Sequence, residues 1–170
     1  MRQLVTLVML LALAGCGGSS SGPKTLPPVS PSPSPSPLPS PTPSLTPEQQ
    51  VLAAVRAYYA AANAATQTGD VSVMQSLTVP NCDCKKLADS IRKTYAAGSR
   101  FLGARDTITD LKLVSLNPPA ASVAIKIHIG AYTLVKPDGT KKQYAAESFV
   151  GGIGLIKRGS QWLLVSVRGQ

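Results

Sequence analysis

The stretch PNCDCKK, residues 80–86, sets Cys82 and Cys84 one residue apart and follows them with Lys85 and Lys86. Two thiols so close admit metal binding, redox exchange or a structural disulfide. Zinc asks for about four N or S ligands. Apart from Cys16, the only other Cys or His in the chain is His128, which counts against a metal site. A redox pair would draw on a helix N-terminus and the two lysines, both of which lower a thiol pKa, but the βαβ setting of thioredoxin-like motifs is missing. A local disulfide requires a turn at Asp83, because residues two apart on an α-helix face nearly opposite sides. That turn must bring the Cα atoms within about 4.4–6.8 Å. The residues favour a Cys82–Cys84 clasp, with a redox-active pair or free thiols as the alternatives.

Acid–base chemistry has less to work with. His128 is the single histidine and alternates with Lys126 along a strand-like run, which predicts a solvated face. Asp106, Asp110 and Glu147 are the acids nearby in sequence. No nucleophile elbow or phosphate-binding glycine loop is present, and the G-x-G of FVGGIGLI lies in an apolar hairpin context and reads as structural. No catalytic residue and no cofactor is assigned. The rival expectation is an enzyme using His128 and an acid for proton transfer.

The elements that would position these side chains begin at Thr46-Pro47-Glu48-Gln49, which supplies an N-cap, a first-turn proline and a capping-box glutamine. Val51, Val55, Tyr58, Tyr59 and Ala62 continue at helical spacing until Thr68-Gly69-Asp70. Asp70 is placed to cap a short helix over 71–77, and Leu87, Ile91 and Tyr95 mark a third helix ending at Gly98. The pattern then alternates. Strands are predicted over 108–116, around Val123, Ile125, Ile127 and Ile129, over 141–157 and over 161–168, separated by Pro137-Asp138-Gly139-Thr140 and Arg158-Gly159-Ser160. Glycines 130, 151, 152 and 154 inside strand patterns predict bulges or bends, hence a curved sheet. Helices first and antiparallel strands afterwards imply an α+β domain with its helices on one sheet face.

Upstream of this domain, MRQLVTLVMLLALAGC has one positive side chain, an apolar run too short to span about 30 Å of hydrocarbon, and small residues before Cys16. Leu13-Ala14-Gly15-Cys16 resembles the lipobox of bacterial lipoproteins. The resemblance implies a signal peptide over 1–15, cleaved before Cys16, and a diacylglyceryl group on the Cys16 sulfur with a palmitate-type acyl chain on the new amine. Several acyl chains give stable anchoring where one is marginal. Residues 16–46 are the lipidated cysteine and a Pro/Ser-rich stalk whose composition favours extended polyproline II, with a reach of roughly 90 Å. The globular domain runs over 47–170. On the extracytoplasmic face disulfides persist, and with Cys16 lipidated only Cys82 and Cys84 remain as thiols.

Tyr58-Tyr59, Thr68-Gly69-Asp70, the Cys82/Cys84 pair, Tyr95-Ala96-Ala97-Gly98 and the hairpin around Trp162 together resemble uncharacterised actinobacterial lipoproteins with a nuclear-transport-factor-2-like domain. Those proteins carry C-x-x-C where this chain has C-x-C. The resemblance implies N-terminal helices packed on a curved antiparallel sheet, cone-shaped, and brings no established activity.

Charge bounds the partners. All eight acids, and all of the seventeen Lys and Arg except Arg2 and Lys24, lie from Pro47 onward, so the domain is strongly basic. Outside a bacterial membrane such a surface meets anionic headgroups and wall polymers first. Few aromatics accompany the basic pairs, which excludes the stacking pattern of nucleic-acid binders. The expectation is a non-enzymatic binding or interaction domain of the cell envelope, tethered through Cys16, taking an anionic envelope component or a small apolar ligand.

Overall fold

A computed structural model describes residues 44–169. The expected signal peptide, the expected lipid site Cys16 and the expected stalk up to residue 43 lie outside the described residues.

Helix α1, Pro47–Thr68, starts where its caps require. The Thr46 hydroxyl accepts from the Gln49 amide at 3.2 Å, and the Gln49 side chain accepts from the Thr46 amide at 2.9 Å. These reciprocal bonds satisfy backbone donors that a helix start leaves free. Gly69 ends the helix at φ +81°, and a Cβ there would sit 2.6 Å from the Tyr95 ring. Conformation and space therefore both require glycine. The Asp70 carboxylate accepts from the Ser72 amide at 2.9 Å and opens helix α2, Ser72–Ser76. Helix α3, Lys85–Ala96, buries Ala88 and Ile91.

Seven strands follow: β1 Arg100–Leu102, β2 Asp106–Asn117, β3 Ala120–Ile129, β4 Tyr132–Val135, β5 Lys141–Tyr144, β6 Glu147–Arg158 and β7 Gln161–Gly169. They form two antiparallel sheets, ordered β2-β3-β6-β7 and β1-β4-β5. This is the α+β architecture expected, helices against a curved antiparallel sheet. The continuous strand expected over 141–157 is instead β5 and β6, which belong to different sheets and part at Ala145-Ala146. Strands β1 and β4, three and four residues long, are too short to show an alternating period and were not foreseen.

On β3, Ala121, Val123, Ile125 and Ile127 are buried against the helices, while Ala124, Lys126 and His128 are exposed on the other face. The register slips between Gly154 and Leu155, where a strand glycine permits a bulge. At Gly151 a Cβ would collide with the Arg168 carbonyl and the Phe149 ring, so this glycine serves close approach of backbone and ring. The edge of β7 is covered: Val79 N donates to Leu164 O, and Leu164 N donates to Leu77 O, both at 3.0 Å.

Candidate functional site

The buried side chains between helices and sheet form one packed cluster. Val51 and Val55 of α1, Ile91 of α3, and Ile153, Leu155 and Leu164 of the sheet are almost wholly inaccessible and belong to one cluster. Tyr58 and Tyr59 meet edge to face at 5.3 Å within it. A chain of aromatic contacts runs from Tyr95 to Phe101 at 6.3 Å, on to Tyr132 at 5.8 Å and to Tyr144 at 4.6 Å, tying α3 to the three-stranded sheet. Such close packing fills the centre of the core, while Tyr59 at one margin and Tyr132 and Tyr144 at another border hollows.

His128 stands outside this interior. It lies opposite Thr107 and Ser148 on the exposed sheet face and lines none of the larger hollows among the described residues. Asp106 pairs with Ile129, one position away, and directly opposed residues share a face, so Asp106 and His128 point to opposite sides. Asp110 is exposed and pairs with Lys112 at 3.3 Å, and Glu147 is exposed at the start of β6. The fold turns His128 away from Asp106 and Glu147, while Asp110, opposite Lys126, lies on the His128 face.

It also gathers two of the candidate acids, Asp106 and Asp110, with residues that no sequence motif announced. Along the seam of α1 and β2, Arg56, Tyr59, Asn63, Arg105 and Asp106 line a hollow of about 510 Å³. Asn63 grips Asp106 through its backbone: Nδ2 donates to the Asp106 carbonyl at 2.8 Å, and Oδ1 accepts from the Asp106 amide at 2.7 Å. Partial burial pushes the Asp106 carboxyl above the usual carboxylate range. Burial also raises the Tyr58 and Tyr59 phenols, with the Tyr59 and Asp106 charges adding to the effect at Tyr58, so both phenols stay protonated at neutral pH. The seam can exchange a proton at Asp106 and offer donors from Tyr59 and the two arginines. No signal in the sequence links positions 63 and 106, which meet only through the docking of α1 on β2.

The cysteines sit in a turn before α3. Cys84 holds the N-cap position, Lys85 N donates to Cys82 O at 3.1 Å, and the Cα atoms are 5.1 Å apart with the two sulfurs in contact. Both are buried, at 4% and 5% exposure, where a redox exchange partner would need access. The Tyr58 hydroxyl donates to the Cys84 carbonyl at 3.3 Å and joins the turn to α1. Among the described residues, no group of three or more His, Cys, Asp or Glu could hold a metal ion, and no helix is long and apolar enough to cross a membrane.

Helices laid on a curved antiparallel sheet make an α+β fold of the cystatin-like kind. The intermembrane-space region of the chloroplast protein ARC6 superposes with a TM-score of 0.57 at 10% identity, over 74% of this chain and 98% of that one. An uncharacterised protein with a cystatin-like fold from Caulobacter vibrioides gives a TM-score of 0.51 at 13% identity, over 71% and 86%. A protein of the nuclear-transport-factor-2-like family from Streptomyces avermitilis gives 0.49 at 18% identity, over 71% and 92%. Likeness at these identities is a likeness of fold. No family model and no curated protein matches the chain.

Proposed function

We propose that the chain is a membrane-anchored, extracytoplasmic lipoprotein whose domain is a non-enzymatic binding module of the cell envelope. The anchor reading rests on the Leu13-Ala14-Gly15-Cys16 stretch, which resembles a lipobox, and on the Pro/Ser-rich segment that follows it. The observation that carries the module reading is the packed core, with His128 on the opposite, exposed face. The binding surface is then the exterior, whose strongly basic balance favours anionic envelope components over a small apolar ligand. The Cys82–Cys84 contact is read as a structural disulfide that fixes the entrance to α3, because both sulfurs are buried.

The full chain is purified from membranes in detergent, and what copurifies is identified by mass spectrometry without preselection. Enrichment of anionic wall or lipid components over an unrelated lipoprotein supports the module. Turnover of a recovered metabolite that is abolished by His128→Ala would contradict it and restore the enzyme reading.

A further inference from the structure

The three-stranded sheet has two unlike faces. One carries Phe101, Tyr132 and Tyr144, joined in the aromatic chain to Tyr95 of α3. Directly opposed residues of antiparallel strands share a face, as do alternate residues along each strand. The other face therefore carries two cross-strand rows, Arg100–Val135–Lys141 and Leu102–Thr133–Gln143.

Each row borders a hollow. Arg100, Val135 and the adjacent Lys136 line one of about 230 Å³. Leu102, Thr133 and Gln143 line the other, of about 460 Å³, which wraps the end of the sheet and also meets Tyr132 and Tyr144. Strand spacing of about 4.8 Å sets the Arg100 and Lys141 backbones about 10 Å apart, with Val135 between them. Among the described residues neither Arg100, Lys136 nor Lys141 forms an ion pair, since the ion pairs lie at Lys86, Arg92 and Lys112. Asp138 is the acid of this turn. Its carboxylate accepts from the Thr140 amide at 2.8 Å and offsets part of the Lys136 charge, which leaves Arg100 and Lys141 the dominant cations.

We propose that this face binds an anionic carbohydrate polymer, a chain bearing both hydroxyls and phosphate or carboxylate groups. Arg100 and Lys141, with Lys136 beside them, take the anionic groups through charge-assisted hydrogen bonds. Thr133 and Gln143 take the sugar hydroxyls. Like a hydroxyl, each of these side chains both donates and accepts. A simple polyanion would use only the cationic row, whereas a glycan uses both. The proposal rests on the envelope-module reading and names its ligand class and its surface.

The full chain in detergent micelles is titrated with a polyuronate oligosaccharide, with polyphosphate and with phosphatidylglycerol vesicles. Arg100→Gln combined with Lys141→Gln is expected to weaken oligosaccharide binding by about tenfold, and raising the salt is expected to weaken it further. Gln143→Ala is expected to weaken oligosaccharide binding by about threefold while leaving polyphosphate binding unchanged. Lys85→Gln combined with Lys86→Gln, on the distant basic pair, is expected to leave both unchanged. Arg100, Lys141, Gln143 and Lys86 are exposed and Lys85 is half-buried, and an unaltered unfolding midpoint shows that the variants fold. Equal losses from the Lys85/Lys86 variant would overturn the proposal in favour of diffuse charge. Indifference of the oligosaccharide to Gln143→Ala would overturn it in favour of a plain polyanion site. Vesicle binding without oligosaccharide binding would overturn it in favour of lipid headgroups. Absence of all binding, in a chain otherwise shown to be lipidated at Cys16, would refute this surface while leaving the anchor reading intact.

Discussion

Asn63 of α1 holds both backbone hydrogen-bonding groups of Asp106 on β2, donating to its carbonyl at 2.8 Å and accepting from its amide at 2.7 Å. One side chain thereby joins the first helix to the first long strand across 43 positions of sequence. Asn63→Ala removes both bonds and leaves a partly buried amide and carbonyl without them. Unfolding in denaturant is expected to show a loss of about 2 kcal/mol. Asn63→Asp keeps the acceptor, loses the donor and adds a negative charge beside Asp106, so it should not rescue the loss.

The Asp106 carboxyl gives a pH signature. Partial burial raises its folded pKa above the unfolded value, so its contribution to stability is fully present below the ordinary carboxylate range and is lost as pH rises through the folded pKa. Asp106→Asn removes this loss and leaves the backbone bonds to Asn63 in place. Measured across pH, the variant is expected to match the wild type in acid and to exceed it at neutral pH. A variant less stable than the wild type at neutral pH would show that the ionised carboxylate has a favourable partner.

A packed core predicts unequal costs for truncation on the two faces of the four-stranded sheet. Ile153→Ala removes a side chain that is only 1% exposed in the central cluster and is expected to cost about 2–5 kcal/mol. His128→Ala lies on the exposed face, and its effect is expected to stay within about 0.5 kcal/mol. Comparable effects in thermal or chemical unfolding would contradict the packing described.

The bond from the Tyr58 hydroxyl to the Cys84 carbonyl connects α1 to the cysteine turn. Tyr58→Phe keeps the ring packed against Tyr59 and removes one of the bonds to the N-cap carbonyl of α3, with an expected loss of about 1 kcal/mol. Hydrogen exchange at the start of α3 should quicken in the same variant, which separates loss of this link from general loosening.

The clarity of the sequence varied with the range of the interaction. The capping box at Thr46 and the stop at Gly69 are local chemistry, and α1 begins and ends where those residues indicate. Strand β3 was legible because Val123, Ile125 and Ile127 alternate with exposed neighbours over ten residues. The exposed side of His128 followed from the same alternation. Strands β1 and β4 were invisible because three or four residues cannot establish a period and their pairing is set by tertiary contact. The Lys141–Lys157 stretch reads as one strand because nothing in Ala145-Ala146 signals that the chain changes sheets there. Asn63 and Asp106 are distant partners with no shared motif, so the seam they form could be found only in three dimensions.

The most direct test is intact-mass spectrometry of the protein from the membrane fraction, alkylated without prior reduction. The predicted species begins at Cys16, carries the diacylglyceryl and acyl groups, and takes up no alkylating agent at Cys82 or Cys84. A soluble chain with unmodified Cys16 would contradict the anchored-module reading, and alkylation of both other cysteines would contradict the clasp.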